Sequence, residues 1–184
     1  GKASVSFVCD AKGRIVASTD DKASEGLTSM PIVARALGGT ASSGFDEGPG
    51  KGLFVAGAQP ISKDGATIGV VFLGFDLAAD YSMVDECKRM LEVEATVFRG
   101  DTRVSTTIMK GGARAVGTRM DNPVVISKVL EKGERYETTN IILGNEYSTA
   151  YWPIRSDGGK VVGMLFLGRS RASIIQASNN VTLW

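Results

Sequence analysis

The side chains best able to recognise a small molecule are arginines and tyrosines, and they gather in the second half of the chain. RGDTRVSTT, residues 99–107, is followed by GGARAVGTR, 111–119, and then by YETTNIILGNEYSTAYWPI, 136–154. These stretches supply Arg103, Arg114, Arg119, Tyr136, Tyr147 and Tyr151, with Trp152 beside the last tyrosine and the hydroxyls of Thr106 and Thr118 between them. A guanidinium fork holds a carboxylate through two parallel hydrogen bonds, and a concave site with a few convergent polar groups is the usual form of a small-ligand pocket. The chemistry indicated is recognition of a small organic acid. Strand alternation sends Tyr147, Thr149 and Tyr151 to one face, opposite Ser148, Ala150 and Trp152. Plainer readings stay open beside this one. Arg99 and Arg103 flank a tight turn, where cations are more often solvated, and tyrosines on one strand face are more often half-buried packing.

Other chemistries are excluded by what the chain lacks. Histidine is absent, which removes the commonest general base and the commonest metal ligand. Two cysteines, Cys9 and Cys87, cannot make a four-ligand zinc site alone. Free buried thiols are the favoured state for them, and a disulfide stays open. The stretch GFDEGPGKG, 44–52, fails as a phosphate loop because Phe45 stands at the first glycine position and Gly52 at the hydroxyl position. It reads as a hairpin connection. There is no GxSxG elbow and no HExxH, and Ser24, Ser29 and Ser62 all lack a lysine three residues on. The chain therefore reads as a non-enzyme that needs no cofactor and no metal. A net charge of +1 gives no basic footprint for nucleic acid, and no window reaches 18 apolar residues.

The elements that must position these residues occur twice. QPISKDGATIGVVFLG, 59–74, is echoed by WPIRSDGGKVVGMLFLG, 152–168. Pro60, Ile61, Asp64 and Gly65 correspond to Pro153, Ile154, Asp157 and Gly158 at an offset of 93; Gly69 and Gly74 correspond to Gly163 and Gly168 at 94, as one inserted loop residue requires. PIVARALGG from Pro31 matches PVVISKVLEKG from Pro123, each with proline in a first helical turn and glycine past the end. In the second helix Asn122 is the expected cap, Gly133 the stop, and Val124, Val125, Val129 and Leu130 the apolar face. Hairpins open both copies, with turns at Asp10 to Gly13 and at Gly100 and Asp101. Four landmarks in the same order make an internal repeat. Each copy reads as two strands, a short helix, and three strands, an α+β arrangement with a mainly antiparallel five-stranded sheet and flanking helices. Between them, 77–94 reads as a helix with a near capping box at Ser82 and Asp85 and an apolar stripe of Met83, Val84, Cys87, Met90 and Leu91.

With VFRGDTRVSTT, GGARAVGT, the NPVVISKVLEKGERY segment and LGNEYSTAYWPIRSDGGKVVGMLFLG, the second copy resembles a Cache sensor module. The first, with DAKGRIVAST and PISKDGATIGVVFLG, is similar to another. Together they resemble the tandem Cache arrangement of bacterial methyl-accepting chemotaxis receptors and sensor kinases, from about Ser4 to Arg171. The resemblance implies two PAS-like modules, 1–77 and 95–171, joined by a helix at 78–94, with 172–184 leading toward a membrane helix. It also implies a periplasmic location for this part of an inner-membrane protein, a small-molecule ligand between sheet and covering loops, flanking transmembrane helices, and a homodimer in the whole receptor. Trp184 would suit a membrane interface. By chain order the membrane-distal module, with Ser18, Thr19, Arg35 and Gln59 as candidates, is the alternative binding module. The polar composition favours the second, with Arg103, Thr106, Arg114, Thr118, Arg119, Tyr136, Tyr147 and Tyr151. An interaction module that senses a periplasmic binding protein, without a ligand of its own, is the rival reading.

Overall fold

The computed structural model describes residues 4–20, 22, 26–48, 52–142 and 144–172. Some of the motifs above fall outside this range: Ser24, the middle of the 44–52 stretch and the tail with Trp184 are not among the described residues. Contacts divide the chain into two compact units, Gly1–Asp80 with Arg155–Val162, and Tyr81–Ile154 with Gly163–Trp184.

The first unit contains β1 (Val5–Asp10), β2 (Ile15–Ser18), a 3-10 turn (Leu27–Ser29), α1 (Pro31–Leu37), β3 (Ser42–Glu47), β4 (Leu53–Lys63) and β5 (Ala66–Asp76). Its antiparallel sheet runs β2-β1-β5-β4-β3. The first hairpin turns where expected, because Asp10 Oδ1 accepts from the N–H groups of Lys12 and Arg14 and Gly13 takes φ 75°. α1 begins at Pro31 and buries Ile32, Val33 and Ala36. These meet Val5, Phe7, Cys9, Val70 and Phe72 on one face of the sheet.

The second unit contains α2 (Ser82–Leu91), β6 (Glu94–Arg99), β7 (Thr102–Thr106), the short pair β8 (Met109–Lys110) and β9 (Ala113–Arg114), α3 (Pro123–Val125), β10 (Tyr136–Ile142), β11 (Asn145–Arg155) and β12 (Val161–Ser170). Its sheet runs β10-β11-β12-β6-β7. In the order of appearance within each copy this is the same sheet as the first, which shows two five-stranded antiparallel PAS-like sheets. The repeated glycines explain themselves at this level. A Cβ on Gly69 would run into the Cys9 carbonyl oxygen, and one on Gly163 into that of Phe98. Gly74 and Gly168 likewise make room for the rings of Phe72 and Phe166.

Three local expectations are corrected. Ser82 lies inside the first turn of α2, so it does not cap; Tyr81 holds that position with no side-chain cap. The stripe on α2 is buried only at Val84, while Met90 and Leu91 are 65% and 54% exposed. After Asn122, whose Oδ1 accepts from Val124 and Val125 N–H, α3 widens into a π-helical segment, Ile126–Glu131. The wider turn leaves Val124 exposed and packs Ile126 beside the buried Val125 and Val129. Gly133 ends it with φ 67°.

Candidate functional site

A cavity of about 160 Å³ opens in the second unit on the core side of its sheet. β7 supplies Arg103, β10 supplies Asn140 and Ile142, β11 supplies Tyr151, and the loop after β9 supplies Ala115, Thr118, Arg119, Met120 and Asp121. Ile108, Lys110 and Ile141 complete the lining.

Arg103 reaches it through a bulge. Phe98 pairs with Arg103 and Val97 with Ser105, so Val104 has no opposite number and the register shifts there. The extra residue brings Arg103 and Thr106 to the same face although they are three apart. The Arg103 guanidinium lies over the Phe98 ring, 4.9 Å from its centroid. Its Nη1 donates to Thr118 Oγ1 at 2.9 Å and to the Arg119 carbonyl at 3.2 Å. Among the described residues no carboxylate pairs with it, and its buried Nε has no partner. Burial pulls its pKa down, against the weaker opposing pull of Tyr151 and Asp121. An arginine remains charged at neutral pH regardless.

Tyr151 is fully buried, its ring tilted 45° against Phe166 at 5.2 Å. Its hydroxyl accepts from Asn140 Nδ2 at 3.1 Å, and burial raises its pKa. Thr118 Oγ1 donates to the Ala115 carbonyl at 2.6 Å, closing the loop on itself. Arg119 is exposed and held by Asp101, Nε to Oδ2 at 2.9 Å, an arrangement that lowers the Asp101 pKa. Lys110 and Asp121 add one charge of each sign to the lining.

Of the eight residues singled out from sequence, the cavity therefore gathers Arg103, Thr118, Arg119 and Tyr151. The other four stand elsewhere in the unit. Thr106 is buried and shares a hydrogen bond of 2.6 Å with Thr96 Oγ1. Arg114 is bound to Asp85. Tyr136 is half-buried against the core and opposite Tyr151 in the β10–β11 register. Tyr147 lies in a separate groove of about 350 Å³ with Lys88, Glu94 and Ser170, its pKa raised by burial. Sequence reasoning passed over Asn140, Asp121, Met120 and Ile108. Asn140 had a usable signal: pairing back across the turn at Gly144 puts it opposite Tyr147, on the tyrosine face.

In the first unit Ser18 and Thr19 line one shallow groove and Gln59 another, both beside Val71 and Leu73 and away from the α1-covered core. Arg35 is paired with Asp157 at 2.9 Å. Cys9 is a buried free thiol and Cys87 a partly buried one. Among the described residues no group of three or more His, Cys, Asp or Glu could hold a metal ion, and no helix is long and apolar enough to cross a membrane.

The family model described as single Cache domain 3 matches residues 75–181. None of the curated proteins matches the chain. Among solved structures, an extracellular ligand-binding receptor from Desulfohalobium retbaense superposes with a TM-score of 0.54 at 17% identity, covering 90% of this chain and 30% of its own. The ligand-binding domain of the Pseudomonas fluorescens chemoreceptor CtaA, solved with L-isoleucine, gives 0.50 at 13%, covering 95% and 72%. The sensor domain of the V. cholerae histidine kinase DctB gives 0.50 at 11%, covering 92% and 72%. At these identities the likeness is one of fold, and the chain spans less than a third of the first of these proteins.

Proposed function

Because the chain belongs to the single Cache domain 3 family, we propose that it is the extracytoplasmic ligand-sensing part of a chemotaxis receptor or sensor kinase, and that its second unit binds a small organic acid. The division into modules at 1–77 and 95–171 with a helix between them is part of the same proposal. The observation that carries it is Arg103: a guanidinium lining a cavity, without a carboxylate partner among the described residues and with one buried N–H unused. A carboxylate entering there gains charge-assisted hydrogen bonds, with the Tyr151 hydroxyl in the same lining. Size limits the choice. A cavity of about 150 Å³ admits a molecule the size of benzene, so roughly six to eight heavy atoms fit here. Signalling then requires that the acid bind one of two conformations better than the other.

A second reading, an amino acid, is favoured by Asp121, whose carboxylate lines the same cavity and could meet an ammonium group. Calorimetry with acetate, propionate, succinate and L-alanine on the whole chain tests both. Binding of propionate or succinate supports the first reading and preferential binding of L-alanine the second. No heat and no thermal shift from any of the four at millimolar concentration would remove the organic-acid claim.

A further inference from the structure

Arg114 does not line the cavity, yet its guanidinium makes three hydrogen bonds within the unit. Nη1 donates to Asp85 Oδ1 and to the Thr106 carbonyl, both at 2.8 Å, and Nη2 donates to Asp85 Oδ2 at 2.9 Å. Its Cζ lies 4.7 Å from the centroid of the Tyr81 ring. Tyr81 and Asp85 belong to the start of α2, whereas the residues that follow Arg114 are the cavity wall, Ala115 and Thr118 to Asp121. That wall is tied on its other side to β7, through Gly117 N–H to the Arg103 carbonyl at 2.8 Å and Arg103 N–H to the Thr118 carbonyl at 2.9 Å. Gly111, Gly112 and Gly117 all have positive φ, so the loop's own backbone does little to restrict it.

We propose that Arg114, Asp85 and Tyr81 form a clasp that positions the cavity wall, so that the first turn of α2 sets ligand affinity without touching ligand. This rests on the reading of the cavity as the ligand site. The side chains of Arg114 and Asp85 are 30% and 48% exposed, so solvent screens the ion pair and its share in global stability is small. Its effect is local and geometric. Loosening the wall means that each binding event must order it again, which lowers affinity without removing any contact to ligand. A lysine at 114 keeps the charge but loses the fork and the stacking on Tyr81, so it is a poor replacement.

The test measures affinity for propionate, succinate and L-alanine in the wild-type chain, in Arg114→Ala, Arg114→Lys and Asp85→Asn, and in the charge-exchanged double variant Asp85→Arg with Arg114→Asp. Arg114→Ala and Asp85→Asn are expected to weaken the best-binding probe by about 3- to 30-fold, a span seen for residues that act on a site without contacting it. Melting temperature should move little, Arg114→Lys should recover only part of the loss, and the exchanged pair should recover more than either single change predicts. Affinity within twofold of wild type in both Arg114→Ala and Asp85→Asn overturns the clasp, as does additive loss in the double variant. If no probe binds the wild-type chain, the reading of the cavity fails separately, and hydrogen exchange still decides the clasp. Amides 115–120 should then exchange faster in Arg114→Ala and in Asp85→Asn, and unchanged rates in both overturn it.

Discussion

Replacing Arg103 by methionine separates a binding residue from a structural one. The folded chain gives up two hydrogen bonds from Nη1, to Thr118 Oγ1 and the Arg119 carbonyl. At a net value of about 0.5–1.5 kcal/mol each, that is a loss of about 1–3 kcal/mol. Against this stands the cost of holding the charge away from water, which is why burial lowers the Arg103 pKa. Exchanging buried charge for packed apolar volume is often neutral or stabilising by about 1–4 kcal/mol. Methionine also keeps a polarizable atom near the Phe98 ring. At mid-range the two offset each other, so Arg103→Met should change stability by less than about 1.5 kcal/mol, a shift of at most about 3–6 °C for a chain of this size. Affinity behaves differently, because each hydrogen bond from a charged donor to a carboxylate contributes about 1.5–3 kcal/mol, or roughly a 10- to 150-fold change in Kd. Thermal melts and calorimetry with propionate and succinate read both quantities. A melting point lowered by more than about 10 °C with acid affinity retained would show that Arg103 is a strut and that the acid binds elsewhere.

Two further predictions concern the frame. Gly163→Ala places a methyl group against the Phe98 carbonyl and should cost about 3 kcal/mol, whereas Gly158→Ala, whose nearest neighbour is Ser156 Oγ at 3.9 Å, should cost less than about 0.5 kcal/mol; equal melting points for the two variants would contradict the close approach. Asp46 is buried, accepts from the N–H groups of Ile32 and Glu47, and has its pKa raised above the ordinary 3.8 chiefly by burial. The folded state then holds this proton more tightly than the unfolded one, so the stability it contributes is full below about pH 3.8 and is lost as pH rises through the folded value. Asp46→Asn should flatten the stability curve above about pH 3.8 in urea unfolding, and an unchanged slope would speak against a buried carboxylate.

What was legible in the sequence was local. The Asp10 to Gly13 turn, the Asn122 cap and the Gly133 stop all depend on residues a few positions apart, and each is where the pattern placed it. What was not legible depends on partners far along the chain. Arg114 is a candidate anion ligand by its place in the GGARAVGT loop, yet Asp85, 29 residues earlier, takes its fork. Thr106 is a candidate by its place beside Arg103, but the register sets Thr96 opposite it and the two hydroxyls bond to each other. The bulge that aims Arg103 inward is a one-residue register shift, and alternation alone cannot foresee it. Asn140 needed the register of a hairpin, which strand periodicity by itself does not supply.

The two copies of the repeat differ in what they place beside one and the same phenylalanine. Phe72 of β5 and Phe166 of β12 are equivalent by the repeat's offset of 94 residues. Phe72 is flanked in register by Phe7 on one side and Ala58 on the other, and the Phe7 and Phe72 rings stack at 4.7 Å and 16°. Phe166 is flanked by Thr96 on the β6 side, and the aromatic comes instead from Tyr151 of β11, the counterpart of Ala58. The aromatic partner has thus moved from the first strand of the copy to the fourth, and it has gained a hydroxyl. In the first unit the phenylalanine pair joins Leu27, Met30, Ile32 and Val33 in an apolar cluster, with the buried Asp46 carboxylate engaged by the Ile32 and Glu47 N–H groups. In the second, the Tyr151 hydroxyl brings a polar atom into the core, where Asn140 meets it and Arg103 shares the same cavity. Buried polar groups that packing alone does not require are costly to keep. Tyr151 is one such group, and it shares one small cavity with the partly buried Arg103 and Asn140, which is where the second copy departs from the first.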